Sequence, residues 1–225
     1  MKKIIIFTIL LIFIPFFIVT IFNIDEVKEI ELKYINNINV RVKRLATNEI
    51  ETIPLEQYIA GVLAGEMPIY FELEALKAQA VASRSYVLKR LDYNKENEYD
   101  VVDSVLNQVY LDEDYLKEAW GNNYTKNINK VRTAVNETID QYLEYDGEII
   151  DALFFSTSNG YTEDSSLVFN LELPYLKSVE SSWDQETSSV FNSSTSISLQ
   201  EFYEKLGLKY QEKLTVEILE RSDTN

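Results

Sequence analysis

Residues 4–22, IIIFTILLIFIPFFIVTIF, run for 19 positions without a charge. A chain that opens this way must bury the stretch in a bilayer or lose it before folding. At helical rise the run spans roughly 28 Å, close to the hydrocarbon thickness of a membrane. Lys2 and Lys3 precede it, and Asp25 and Glu26 follow it. The positive flank stays inside, so the remainder faces out. A cleaved signal peptide is the competing reading, but it needs small residues at the cleavage site, and Thr20-Ile21-Phe22-Asn23 is bulky. The expectation is an uncleaved anchor over 1–23, a polar linker over 24–36 and an extracytoplasmic domain over 37–225, on a cell membrane crossed once.

The charge and the missing residue types narrow what that domain can do. The whole chain carries 37 acidic and 21 basic residues, a formal charge of −16. A nucleic-acid binder needs a basic footprint, so no nucleic acid is expected as a partner. With neither Cys nor His in the chain, disulfides, Cys/His zinc sites, thiol nucleophiles and Ser-His-Asp triads are excluded. Proton chemistry must come from Asp, Glu, Lys or Tyr. No EF-hand spacing is present, and neither metal nor cofactor is expected.

Hydrophobic periodicity gives an α+β chain rather than regular βαβ alternation. Residues 38–46 read as a strand, with Val40 and Val42 alternating with Arg41 and Lys43. Thr52 and Pro54 signal a helix start, with Glu56 just inside it. Leu55, Tyr58, Ile59, Val62 and Leu63 then form one apolar stripe ending before Pro68. A second helix is expected over 72–91. Two more over 110–139 break near Gly121-Asn122-Asn123. A hairpin is expected from Gln141–Tyr145 and Glu148–Phe155 about the turn Asp146-Gly147. A strand at Tyr175–Val179, a helix at 198–206 and a strand at 209–218 complete the reading.

Glu66 lies eleven residues after Leu55, so at 100° per residue it returns to within about 20° of the apolar stripe. Burial and the carbonyl end of the helix both disfavour its charge, which is the setting of a general acid. The structural alternative is a Glu paired with a base, and the inward-facing Arg84 is the natural partner. Arg84 can instead neutralise another buried acid or bind backbone carbonyls. Lys77, Gln79 and Tyr86 are groove candidates or ordinary helix residues. Ser156, Thr157 and Ser158 lie in a hydroxyl-rich turn that can bind sugar hydroxyls or cap its own loop. Glu163 and Asp164 offer a second carboxylate or are solvated loop acids.

The run PLEQYIAGVLAGEMPIYFELEALKAQAVASRSYVL, residues 54–88, resembles stage II sporulation protein D and its cell-wall relatives. The runs FFSTSNGYTEDS, from Phe154, and PYLKSVESSWD, from Pro174, agree with it. The resemblance implies a peptidoglycan lytic transglycosylase. Such an enzyme cleaves between N-acetylmuramic acid and N-acetylglucosamine in peptide-stripped glycan strands and leaves 1,6-anhydro ends. It makes Glu66, in the E-M-P motif, the catalytic acid. Ser156, Thr157, Ser158 and Gln79 become candidate substrate contacts. The implied partners are glycan strands, the membrane, the amidase sporulation protein P and the membrane protein sporulation protein M, acting during engulfment.

Two departures stand out. Some members hold zinc through His and Cys after the second helix, whereas the matching stretch here, residues 103–110, has neither. The position before Ser156, often His in the family, is Phe155. The abrupt end after residues 214–223 suggests a truncated domain. Two rival readings remain: a non-catalytic wall-binding or amidase-activating module, and a two-carboxylate glycoside hydrolase using Glu66 with Glu163.

Overall fold

The computed structural model describes residues 13–14 and 28–219. The expected membrane anchor, residues 1–23, lies outside them except for Phe13 and Ile14. Among the described residues no helix is long and apolar enough to cross a membrane. The chain forms two compact units that meet in sequence between Leu153 and Phe154, so the expected domain 37–225 spans both.

The first unit is mixed α and β, as the pattern requires. Strand β1 (Asn39–Lys43) buries Val40 and Val42 completely and turns Arg41 and Lys43 away, the period-two alternation of a half-buried strand. It pairs antiparallel with β2 (Ile50–Pro54) and parallel with the two-residue β3 (Val101–Val102), giving the order β2-β1-β3. Strand β2 corrects the sequence reading. Thr52 and Pro54 are strand residues, and helix α1 (Leu55–Glu66) starts directly from the strand end without a side-chain cap.

Helix α1 is central. Its stripe of Leu55, Tyr58, Ile59, Val62 and Leu63 is no more than 2% exposed and packs on the sheet, α2 (Leu73–Tyr93) and α4 (Tyr124–Glu137). Burying each of these side chains contributes about 2 kcal/mol. Helix α3 (Glu113–Trp120) is capped by Asp112, whose carboxylate accepts the Tyr115 N–H. The break expected at Gly121 is a single 3-10 turn, Gly121–Asn123, leading into α4.

The hairpin turn forms as expected, with Asp146 and Gly147 both at positive φ, but its strands are short. They are β4 (Glu144–Tyr145) and β5 (Glu148–Ile149). The ladder ends because neighbouring groups are drawn to α2. Arg90 binds Asp151 at 2.8 Å, and Ser85 Oγ accepts the Leu143 N–H.

The described part of the polar linker is docked rather than free. Asn129 accepts the Ile30 N–H and donates to the Lys28 carbonyl. Asn136 does the same for the Lys33 N–H and the Glu31 carbonyl, and Arg132 donates to the Ile30 carbonyl between them. Residues 129, 132 and 136 fall on one face of α4, so a helix surface reads an extended backbone. Replacing Asn129 and Asn136 together by Ala removes four exposed bonds. The expected result is that residues 28–36 open more easily by about 2 kcal/mol, while the core keeps its melting temperature. Hydrogen exchange at Ile30 and Lys33 measures it.

In the second unit, α5 (Ser165–Phe169) is capped by Asp164, α6 is Asp184–Thr187, and α7 (Leu199–Lys205) is capped by Ser198. The expected strand at Tyr175–Val179 is reduced to one bridge, Tyr161 with Glu180. There the Thr162 hydroxyl accepts the Val179 N–H and donates to the Lys177 carbonyl, replacing ladder bonds. No strand forms over 209–218 among the described residues.

Candidate functional site

The site begins with two glycines that the apolar stripe did not single out. Gly61 and Gly65 are four residues apart on α1 and so share a face. The extended segment 108–111 crosses that face at close range. A Cβ on Gly65 would meet the Val109 carbonyl oxygen at 2.6 Å, and one on Gly61 would collide with the Tyr110 ring. The Leu111 N–H donates to the Gly61 carbonyl, and Tyr110 stacks on Tyr58 with centroids 5.5 Å apart. Burial pushes the Tyr110 phenol up to about 12 and raises that of Tyr58 well above its ordinary value, so both stay protonated.

This close approach aims one backbone donor at the candidate acid. The Val109 N–H donates to Glu66 Oε1 at 2.6 Å. Glu66 Oε2 has no partner among the described residues. The side chain is half-buried rather than sealed in the stripe. The reason is positional: Glu66 is the last residue of α1, and Met67 turns into extended backbone. The next turn, closed by the Phe71 N–H on the Pro68 carbonyl, leaves Tyr70 78% exposed beside Phe71. Lys130 fastens it by donating to the carbonyls of Ile69 and Phe71.

Arg84 does not touch Glu66. Its guanidinium binds Glu56 with Nε at 3.2 Å and Nη2 at 2.7 Å, and Nη1 donates to the carbonyls of Thr138 and Gln141. The other outcome open in the sequence, another buried acid together with backbone carbonyls, is the one observed. Lys77 is paired with Glu74 and Glu137. Gln79 is half-buried and donates to Ser83 Oγ at 3.1 Å. Tyr86 is buried and accepts from Asn107.

The hydroxyl turn belongs to the second unit. Ser156 is exposed, and Thr157 is half-buried and shares a hydrogen bond with Ser188 at 2.8 Å. Ser158 is buried, with its N–H and hydroxyl both donating to Asp184 at 2.7 Å. Those bonds, the backbone one first, hold the Asp184 carboxyl below the usual carboxylate range. Ser158 therefore secures its own loop. Asp164 is a helix cap paired with Lys177.

Residues 103–110 do not fit a zinc ion. Asp103 is engaged by Arg44 at 3.0 Å, and Gln108 is fully buried in bonds to protein groups. Among the described residues no three His, Cys, Asp or Glu side chains gather as a metal site. The stretch offers amides and one committed carboxylate where zinc takes thiolate or imidazole. It is instead pinned by Asn107, whose side chain accepts the Val102 N–H and donates to Tyr86, and by Gln108.

Residues 43–145 match the family described as Stage II sporulation protein. The chain is 40% identical over 183 residues to Stage II sporulation protein D of Bacillus amyloliquefaciens, covering 80% of this chain and 53% of that one. Against Stage II sporulation protein D of Bacillus subtilis (strain 168) it is 40% identical over 176 residues, 76% of this chain and 51% of the relative. It is also 36% identical over 118 residues to an Amidase enhancer of Bacillus subtilis (strain 168), 52% of this chain and 14% of that one. The chain spans about half the length of the two sporulation relatives.

Proposed function

From the premise that this chain belongs to the stage II sporulation protein D family through residues 43–145, we propose that it cleaves peptidoglycan glycan strands by lytic transglycosylation. Membership supports a sporulation-related role at the cell wall, and the proposal adds the reaction. The observation that carries it is the Glu66 carboxyl. One oxygen is held by the Val109 N–H and the other has no partner among the described residues, while the buried guanidinium of Arg84 is occupied by Glu56.

In the proposed reaction Glu66 gives its proton to the bridging oxygen as the bond from C1 of N-acetylmuramic acid breaks. The C6 hydroxyl of the same sugar attacks C1, and its proton returns to Glu66. One carboxyl serves both steps because the substrate supplies the nucleophile, whereas a hydrolase uses two carboxylates. Intramolecular attack gains from proximity. The exposed Tyr70 face offers a surface on which a sugar ring can stack. The −16 charge gives no long-range attraction to an acidic glycan, so recognition is local. In this reading an anchor over 1–23 holds the active part on the extracytoplasmic side of the membrane, with sporulation proteins P and M as partners. The first unit alone carries this reading of Glu66.

The similarity to an Amidase enhancer favours a second reading, in which the chain stimulates an amidase without turnover. Product analysis separates the two. Peptide-stripped glycan incubated with the protein is expected to yield 1,6-anhydro ends by mass spectrometry. Reducing ends would indicate hydrolysis. Intact glycan, with faster amidase cleavage of stem peptides in a mixed assay, would establish the second reading instead.

A further inference from the structure

We propose that Gln108 is a positioning residue for Glu66, fixing the segment whose next backbone N–H orients the carboxyl. The proposal rests on the reading of Glu66 as the acid. Gln108 is fully buried, and both ends of its carboxamide are committed. Its oxygen accepts the Tyr58 hydroxyl at 3.2 Å, and its nitrogen donates to the Ser83 carbonyl at 3.4 Å. The two partners lie on α1 and α2, so the side chain is a wedge tied to both helices. An amide buried this way is costly to place unless both halves are satisfied, and here they are.

The consequence falls one residue on. With Gln108 fixed, Val109 has its carbonyl against Gly65 and its N–H on Glu66. Tyr110, stacked on Tyr58, closes the other side. The carboxyl of a residue at a helix end otherwise rotates freely about three side-chain bonds. One short N–H bond to Oε1 removes much of that freedom and turns Oε2 into the oxygen that meets substrate. Gly65 is the steric counterpart. Only a residue without a Cβ lets the Val109 backbone come near enough to reach Glu66.

The test uses the full chain with Gln108→Leu and Gly65→Ala, and Glu66→Ala as control. Amide exchange at Val109 and steady-state cleavage of peptide-stripped glycan are both measured. Val109 is expected to be protected in the unaltered protein. Protection falls about tenfold or more in all three variants, while Val62 and Leu63 inside α1 keep theirs. In Gln108→Leu and Gly65→Ala, kcat falls about 10- to 100-fold. KM stays within about twofold, because the loss is of transition-state geometry rather than binding. Wild-type kcat in both variants overturns the proposal. So does a kcat loss accompanied by loss of protection throughout α1, which would make Gln108 merely structural. If the unaltered protein cuts no glycan, the lytic reading falls, and Val109 exchange alone then decides whether Gln108 orients Glu66.

Discussion

Glu66→Gln is expected to lower glycan cleavage by about 10³-fold, within the range a positioned general acid supplies. The substitution is close to isosteric. The amide oxygen still accepts the Val109 N–H, the contact Glu66 Oε1 makes now at 2.6 Å. The NH2 group takes the place of Oε2, which lacks a partner among the described residues, so no buried group is orphaned. In the proposed reaction, what disappears is the proton that Glu66 lends to the leaving oxygen and recovers from the C6 hydroxyl. Melting temperature and glycan binding are therefore expected to stay near their original values while anhydro ends vanish from the products. Glu66→Asp is a graded companion. Its side chain is one methylene shorter and cannot both keep the Val109 contact and reach as far, so a partial loss is expected. Full turnover in Glu66→Gln would remove this residue from the chemistry.

What the sequence revealed depended on whether the deciding interaction had a period. The α1 stripe, the second helix, the break at Gly121 and the Asp146-Gly147 turn were legible because each repeats or needs a special backbone angle. Strand β2 was hidden because Pro54 ends a strand and precedes a helix at once, and the helix signal dominates locally. Strand β3 has two residues and no pattern at all. At the site, Glu66 was visible through its offset from Leu55. Its full burial was overestimated, because angular position says nothing about the helix ending there. The Val109 donor is backbone and has no sequence signature. The Gly61–Gly65 spacing did carry a signal, a side-chain-free face on a helix that is buried over most of its length.

Removing Arg84 is expected to be among the most destabilising single changes in the first unit, with Arg84→Met costing about 3–5 kcal/mol. The guanidinium is 1% exposed and its partner Glu56 is 3% exposed. Arg84 also binds the Thr138 and Gln141 carbonyls just beyond α4, so one side chain joins α1, α2 and the exit from α4. Taking it away leaves the buried Glu56 carboxylate without its donor, with its full desolvation penalty, and cuts the tie from α2 to the Thr138 and Gln141 carbonyls. Arg84→Lys is expected to recover little, because an ammonium cannot match the two-pronged contact to Glu56 while also reaching both carbonyls. The paired change Glu56→Met with Arg84→Met separates charge from connectivity. Removing both charges relieves the uncompensated carboxylate, so the double variant should be more stable than Arg84→Met alone. It should still fall short of the original, because the bonds that tie α2 to the Thr138 and Gln141 carbonyls are gone. Denaturant unfolding followed by far-ultraviolet circular dichroism reads these helices directly. An Arg84→Met protein within about 1 kcal/mol of the original would show that the pair sets specificity rather than stability.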